Sequence, residues 1–146
     1  MISLQKIIDK ILPFKKEIDL DVSDAQKQII GIKGEKVALK FLWKKGYRIL
    51  AKNIYLRSGE EIDILAIKNG VLCFVEVRTR KFFDPQYPED AIDKRKINAM
   101  KTAAKRFLTI HKIQKHLSRI DLVICVRGEK NNKWQCHLIE GVVPFE

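Results

Sequence analysis

The dipeptide Asn69-Gly70 constrains this chain more than any other feature, because both residues accept the positive φ that a two-residue hairpin turn demands. It separates Glu61-Ile62-Asp63-Ile64-Leu65-Ala66-Ile67-Lys68 from Val71-Leu72-Cys73-Phe74-Val75-Glu76-Val77-Arg78. With the turn on Asn69 and Gly70, Lys68 faces Val71, Ala66 faces Cys73, Leu65 faces Phe74 and Ile64 faces Val75. The same register sets Asp63 against Glu76 and Glu61 against Arg78. A four-residue loop preserves this pairing, whereas a three-residue loop sets Asp63 against Val75 or Val77 and spoils the apolar matches.

Two carboxylates opposed across a hairpin have Cβ atoms about 4.5–5.5 Å apart and repel unless something positive lies between them. Hard divalent cations such as Mg²⁺ or Mn²⁺ take oxygen ligands of this kind. The plainer reading is a solvated rim, with Arg78 neutralising Glu76 from two residues away. Against it, Asp63 and Glu76 interrupt runs that are otherwise apolar on both faces. Glu35 is a third acid. Its helical neighbours Gly31, Ala38, Leu39 and Leu42 place it on or beside an apolar stripe with no Lys at i+4, and Gly31 and Gly34 permit close approach of another backbone or a substrate. An acid there costs free energy unless it is paired or binds a metal.

The remaining periodicities give the organisation of the chain. Residues 2–12 show helical spacing of Ile and Leu ended by Pro13, so residues 1–23 read as an N-terminal helical extension and 24–146 as the main domain. A second helix spans about Asp24 to Lys45 and stops at Gly46. Strands follow at Tyr47–Leu56, Glu61–Ile67 and Val71–Thr79, the last apolar on both faces and hence central. A long helix opens at Glu89 and Asp90 and runs to about Ile113, and Ile120–Val126 and Trp134–Ile139 are the last strands. The order α-α-β-β-β-α-β-β is that of a mixed α/β domain.

With 29 Lys and Arg against 18 Asp and Glu, the net charge of +11 attracts polyanions, nucleic acid first and an anionic membrane surface second. From Lys94 to Arg119 there are nine Lys and Arg and no acid. Ile97, Met100, Ala103, Ala104, Phe107 and Leu108 make the core face of that helix, while Lys94, Lys101, Lys105 and Lys112 make a separate stripe suited to a phosphate backbone. Arg78, Arg80 and Lys81 carry positive charge into the following loop. Cys73, Cys125 and Cys136 have neither C-x-x-C nor finger spacing and read as reduced residues of a cytoplasmic protein. No window reaches the ~18 apolar residues of a membrane span, and the start of the chain has no signal-peptide core.

The ordered set of motifs resembles the YraN family of endonuclease-like proteins, in the PD-(D/E)XK nuclease superfamily. It comprises Gly34-Glu35, Gly46-Tyr47-Arg48 with Asn53, and Gly59-Glu60-Glu61-Ile62-Asp63. It continues through Phe74-Val75-Glu76-Val77-Arg78-Thr79-Arg80, the Ala91…Lys94…Lys96 helix start, and Arg119-Ile120-Asp121. The resemblance covers about Gly31 to Ile139. It implies a restriction-endonuclease-like mixed sheet flanked by helices, similar to Holliday-junction resolvases. It also implies that Glu35, Asp63 and Glu76 hold Mg²⁺ or Mn²⁺ beside a scissile phosphodiester of DNA. The superfamily's catalytic Lys is replaced by Arg78, which stabilises charge but cannot act as a base, leaving Lys94 or Lys96 as substitutes. The doubled Glu60-Glu61 leaves open which of the two matches the motif.

The expectation is therefore a metal-dependent endonuclease of branched or damaged DNA. Glu35, Asp63, Glu76 and Arg78 are its catalytic set, and Arg80, Lys94, Lys96, Lys101 and Lys105 bind nucleic acid. Resolvase-like function favours a homodimer. Two alternatives stand beside it: a nuclease-fold binding protein without chemistry, and an adaptor docked to a membrane or protein partner through residues 2–12.

Overall fold

In a computed structural model of the chain, residues 26–114, 117–128 and 133–142 are described. The expected N-terminal helix at residues 2–12 lies outside them. Helix α1 (Gln26–Lys44) is followed by β1 (Arg48–Tyr55), β2 (Glu61–Lys68) and β3 (Val71–Arg80). After a 3₁₀ turn at Pro88–Ala91 come α2 (Lys94–Ile110), β4 (Ser118–Arg127) and β5 (Trp134–Ile139).

The five strands lie in the spatial order β1-β2-β3-β4-β5, with β3 at the centre as its two apolar faces require. All neighbours are antiparallel except β3 and β4, which run parallel and are joined across one face by α2. The expected hairpin register is observed from Lys68↔Val71 to Ile64↔Val75, with Asn69 at φ 51° and Gly70 at φ 76° in the turn.

The two faces bury different clusters. Leu65, Ile67, Leu72 and Phe74 pack with Met100, Ala103, Phe107 and Leu108 of α2. Ile64, Ala66, Cys73, Val75, Val123 and Cys125 pack under Ala38 and Leu42 of α1. Helix α1 ends in a wrap-around turn in which Tyr47 N–H donates to Leu42 O at 3.0 Å and Gly46 N–H to Trp43 O at 3.1 Å. Gly46, at φ 90°, is the residue that allows it. Helix α2 departs from expectation at both ends. Asp93, not Glu89 or Asp90, caps it, accepting from the backbone N–H of Arg95 and Lys96, while extended Ile92 separates it from the 3₁₀ turn. At its far end Lys112 sits at φ 54° past the last turn, so it leaves the helical lysine stripe.

A buried network ties the ends of this framework together. The Asp121 carboxylate, 0% exposed, accepts from Arg119 Nε at 3.0 and 3.1 Å, from Tyr47 Oη at 2.9 Å and from Gly141 N at 2.9 Å. It thus joins the α1–β1 corner and the segment after β5 to β4. None of the expected site residues belongs to it.

The position of α1 is set at Gly34, where an added Cβ would lie 2.6 Å from Thr79 Oγ1 of β3. Gly→Ala inside a helix ordinarily stabilises by about 1 kcal/mol. Here the clash with a β-branched neighbour reverses the sign, and Gly34→Ala is expected to destabilise by about 1–3 kcal/mol. Urea denaturation of Gly34→Ala, Thr79→Ala and the double variant checks this. In the Thr79→Ala background the Gly34 substitution should become neutral or stabilising, because the obstructing hydroxyl is gone.

Candidate metal and phosphate site

The β2–β3 ladder ends at Ile64↔Val75, and the next position along holds Asp63 and Glu76. Beyond it the strands part. Ile62 and Glu61 pair with Ile54 and Tyr55 of β1, while Glu76 to Arg80 pair with Leu122 to Val126 of β4. Glu61 therefore does not face Arg78, because the hairpin has already opened where that pair would form. Asp63 and Glu76 stand at the mouth of this fork.

Local irregularity accompanies the opening. Ile62 packs under α2 and Ile64 under α1, although residues two apart in a regular strand share a face. On β1 the flanking pairs Lys52↔Ile64 and Ile54↔Ile62 bracket Asn53, a buried residue at φ 51°. Asn tolerates this left-handed conformation better than most residues. Its side chain hydrogen-bonds Glu35 of α1 and brings that acid toward Asp63. Asn53 was legible only as part of a motif. Nothing in its spacing announced that it would hold Glu35.

Glu76 is the least ordinary group. It is 2% exposed, and its Oε1 lies 3.3 Å from Arg78 Nε and 3.8 Å from Lys96 Nζ. Its Oε2 is buried with no hydrogen-bond partner. Burial and the adjacent Asp63 carboxylate outweigh the two cations and push Glu76 up to about 8. Asp63 Oδ2 accepts from Val77 N at 2.9 Å, which fixes the Asp63 side chain against β3. Glu35 is half-buried, and burial followed by the Asp63 charge raises its pKa while the Asn53 hydrogen bond opposes the rise. Glu61, not Glu60, adds its charge to this cluster. Glu60 instead turns to Ser58 and to Arg106, 3.4 Å away on α2.

Asp63 and Glu76 are the carboxylates brought together at the fork, and Glu35 lies close enough for the Asp63 charge to raise its pKa. Among the described residues no three His, Cys, Asp or Glu side chains are close enough to form a complete cage. The orphaned Glu76 Oε2 is nonetheless a lone-pair donor without a protein partner, as a hard cation requires. The expected basic residues divide. Arg78 and Lys96 converge on Glu76. Arg80 Nη1 donates to the Thr79 carbonyl at 3.1 Å. Lys101 and Lys105 lie with Lys94 on the flank of α2 roughly opposite Lys96, at about 100° of helix rotation per residue. The stripe and the carboxylates therefore occupy different sides of the helix.

Glu76 gives a pH signature. Its proton is held to about pH 8 in the native state and lost near 4.5 in the unfolded chain. Between those values the folded protein binds one more proton, so stability falls as pH rises through the window, by at most about 1.4 kcal/mol per unit. Urea denaturation in a chelator between pH 5 and 9 should show this decline for the wild type. Glu76→Gln, which cannot titrate, should flatten it.

The sequence profile of the Uncharacterised protein family UPF0102 matches residues 34–125, which contain Glu35, Asp63, Glu76 and Asp121. A UPF0102 protein of Clostridium novyi is 33% identical over 77% of this chain and 92% of its own length. One from Caldicellulosiruptor saccharolyticus is 35% identical over 79% of this chain and 97% of its own, and one from Caldicellulosiruptor bescii is 38% identical over 76% and 93%. The chain belongs to the UPF0102 family, the YraN family whose motif order it carries.

Proposed function

We propose that the protein is a Mg²⁺- or Mn²⁺-dependent endonuclease of the PD-(D/E)XK type that hydrolyses phosphodiester bonds in DNA, with branched or damaged DNA as the substrate class. The observation that carries this reading is the pair Asp63 and Glu76 at the mouth of the β2–β3 fork, with Glu76 Oε2 buried and unpartnered. Asp63, Glu76 and Glu35 would hold the cation. Bound there, a divalent metal polarises the phosphoryl group and activates water for in-line attack. Arg78 holds Glu76 Oε1 and offers a permanent positive charge to the transition state. Of Lys94 and Lys96, the two candidates to replace the superfamily's Lys, Lys96 is the one beside Glu76. Because Glu76 must lose its proton to bind a cation, metal affinity should rise with pH up to about 8.

A binding protein of the same fold without turnover is the second reading. It is favoured by Arg78, which cannot take a proton, and by the incomplete acid cage. Cleavage of labelled duplex, flap and four-way-junction DNA with Mg²⁺ or Mn²⁺ separates the two. Metal-dependent cutting is expected, with Asp63→Ala and Glu76→Ala each lowering the rate by about 10²-fold or more, the scale of losing one charge-stabilising group. Binding without cutting on any substrate would give the assignment to the second reading.

The α2 stripe has its own test. Lys101→Glu with Lys105→Glu is expected to weaken DNA binding and to reduce the slope of log affinity against log salt by about 2, near 0.9 per phosphate contact. Fluorescence anisotropy at several salt concentrations measures both. An unchanged slope would make the stripe a solvated face and leave Arg78, Arg80 and Lys96 as the phosphate contacts.

A further inference from the structure

On the sheet edge away from β1, β4 and β5 pair with Cys125 directly opposite Cys136, and the two sulfurs lie 3.6 Å apart. Opposed residues of an antiparallel pair have Cα atoms about 4.5–5.5 Å apart, within the span a disulfide bridges. Bringing these sulfurs to a bond of about 2.05 Å takes side-chain rotation and no strand movement. Cys73 is placed differently. It is buried, donates to Val71 O at 3.4 Å, and is pushed up to about 12 by burial and the Asp121 charge.

The two paired cysteines have unequal surroundings. Cys125 is fully buried beneath α1, where its Sγ donates to the Gly34 carbonyl at 3.6 Å. Cys136 is partly exposed and lines an open cleft of about 670 Å³ with Phe41, Lys45, Phe83 and His137. The contact between the sulfurs lowers the Cys136 pKa and, with burial, raises that of Cys125. Cys136 is thus the sulfur a dissolved oxidant can reach, with Cys125 held behind it under α1.

We propose that Cys125 and Cys136 form a thiol–disulfide pair that takes a small hydroperoxide through this cleft, Cys136 being the reacting thiol and Cys125 the resolving one. The Cys136 thiolate attacks one peroxide oxygen. The O–O bond breaks, and the other oxygen takes a proton and leaves as an alcohol, or as water from hydrogen peroxide. Cys136 is then a sulfenic acid, oxidised by two electrons. The Cys125 sulfur attacks the Cys136 sulfur, the S–O bond breaks, and hydroxide leaves as water with the Cys125 proton. Two thiols and one hydroperoxide become one disulfide, one alcohol and one water, and a thiol reductant reverses the change. Cross-links of this transient kind are the ones a reducing compartment permits. The pair does not depend on the metal-site assignment, since neither sulfur touches Asp63 or Glu76.

The test is treatment of the full-length protein with equimolar hydrogen peroxide, then unfolding, alkylation and mass spectrometry. The wild type should lose about 2 Da and bear a single alkylated thiol, Cys73. A non-reduced digest should contain one peptide pair linking Cys125 to Cys136, released by dithiothreitol. Cys136→Ser should abolish the cross-link, and Cys125→Ser should leave Cys136 as a sulfenic acid that dimedone traps. Alkylation of all three thiols after peroxide would overturn the proposal. So would a linkage between two chains, or Cys136 oxidised to sulfinic acid in the wild type without a cross-link.

Discussion

Antiparallel pairing between β2 and β3 stops at Ile64 and Val75, and beyond that point each strand is held by a different neighbour. The β1–β2 turn keeps β2 with β1, through Leu56 N–H to Glu60 O and Gly59 at φ 97°. A nine-pair parallel ladder keeps β3 with β4. The right-handed twist of strands then carries the two halves of the sheet apart. At a fork of this kind side chains from adjacent strands approach each other without a ladder between them. Asp63, Glu76, Glu35 through Asn53, and Lys96 from α2 all converge there because the framework opens there.

The protein buries two carboxylates of β3 and β4, and their contrast separates structure from function. Asp121 is satisfied on both oxygens by a guanidinium, a phenol and a backbone amide. Its desolvation is offset by charge-assisted hydrogen bonds, and it clamps β4 to the α1–β1 corner and to the segment after β5. Glu76 has two cations beside one oxygen, while its other oxygen makes no hydrogen bond and the Asp63 carboxylate stands next to the group. Leaving a buried acceptor unsatisfied costs about 1–3 kcal/mol, more for a charge. A fold seeking only stability would have filled the position with an apolar side chain, as at Phe74 and Val75 beside it. Strain of this sort, concentrated where a ligand would remove it, is what binding sites are made of.

The hairpin was readable because its signals are local. Asn69-Gly70 fixes the turn, the apolar matches fix the register, and together they locate Asp63 beside Glu76 without knowledge of any other element. The central position of β3 followed as directly from its two apolar faces. What escaped is long-range or irregular. The Asp121 network joins Tyr47 to Asp121 across 74 residues, which no periodicity reports. The opening of the fork makes Glu61 a partner of β1 because competition among strands, not the hairpin, decides pairing there. Helical periodicity already set the Lys101–Lys105 stripe apart from Lys96, but only packing shows that Lys96 meets Glu76. Cys125 and Cys136, eleven residues apart, look like unrelated core thiols until the β4–β5 register sets them face to face.

In the endonuclease reading, Arg78 stands where the superfamily has Lys, and that constrains the chemistry proposed at the fork. A guanidinium remains charged at every accessible pH, so Arg78 can fix Glu76 and stabilise an anion but cannot accept the proton of an attacking water. Asp63 Oδ2 accepts from Val77 N, and Glu76 Oε1 lies against Arg78 and Lys96, which leaves one oxygen of each carboxylate outside these contacts. With Glu61 adding its charge, Glu35 is the third acid of the cluster. Burial and the Asp63 charge raise its pKa, which makes it a stronger base than an ordinary surface carboxylate. It hangs from Asn53 on a helix whose distance from the sheet is set by Gly34 against Thr79. In the endonuclease reading Glu35 is a cation ligand, so the close approach at Gly34 would bear on the site as well as on the packing.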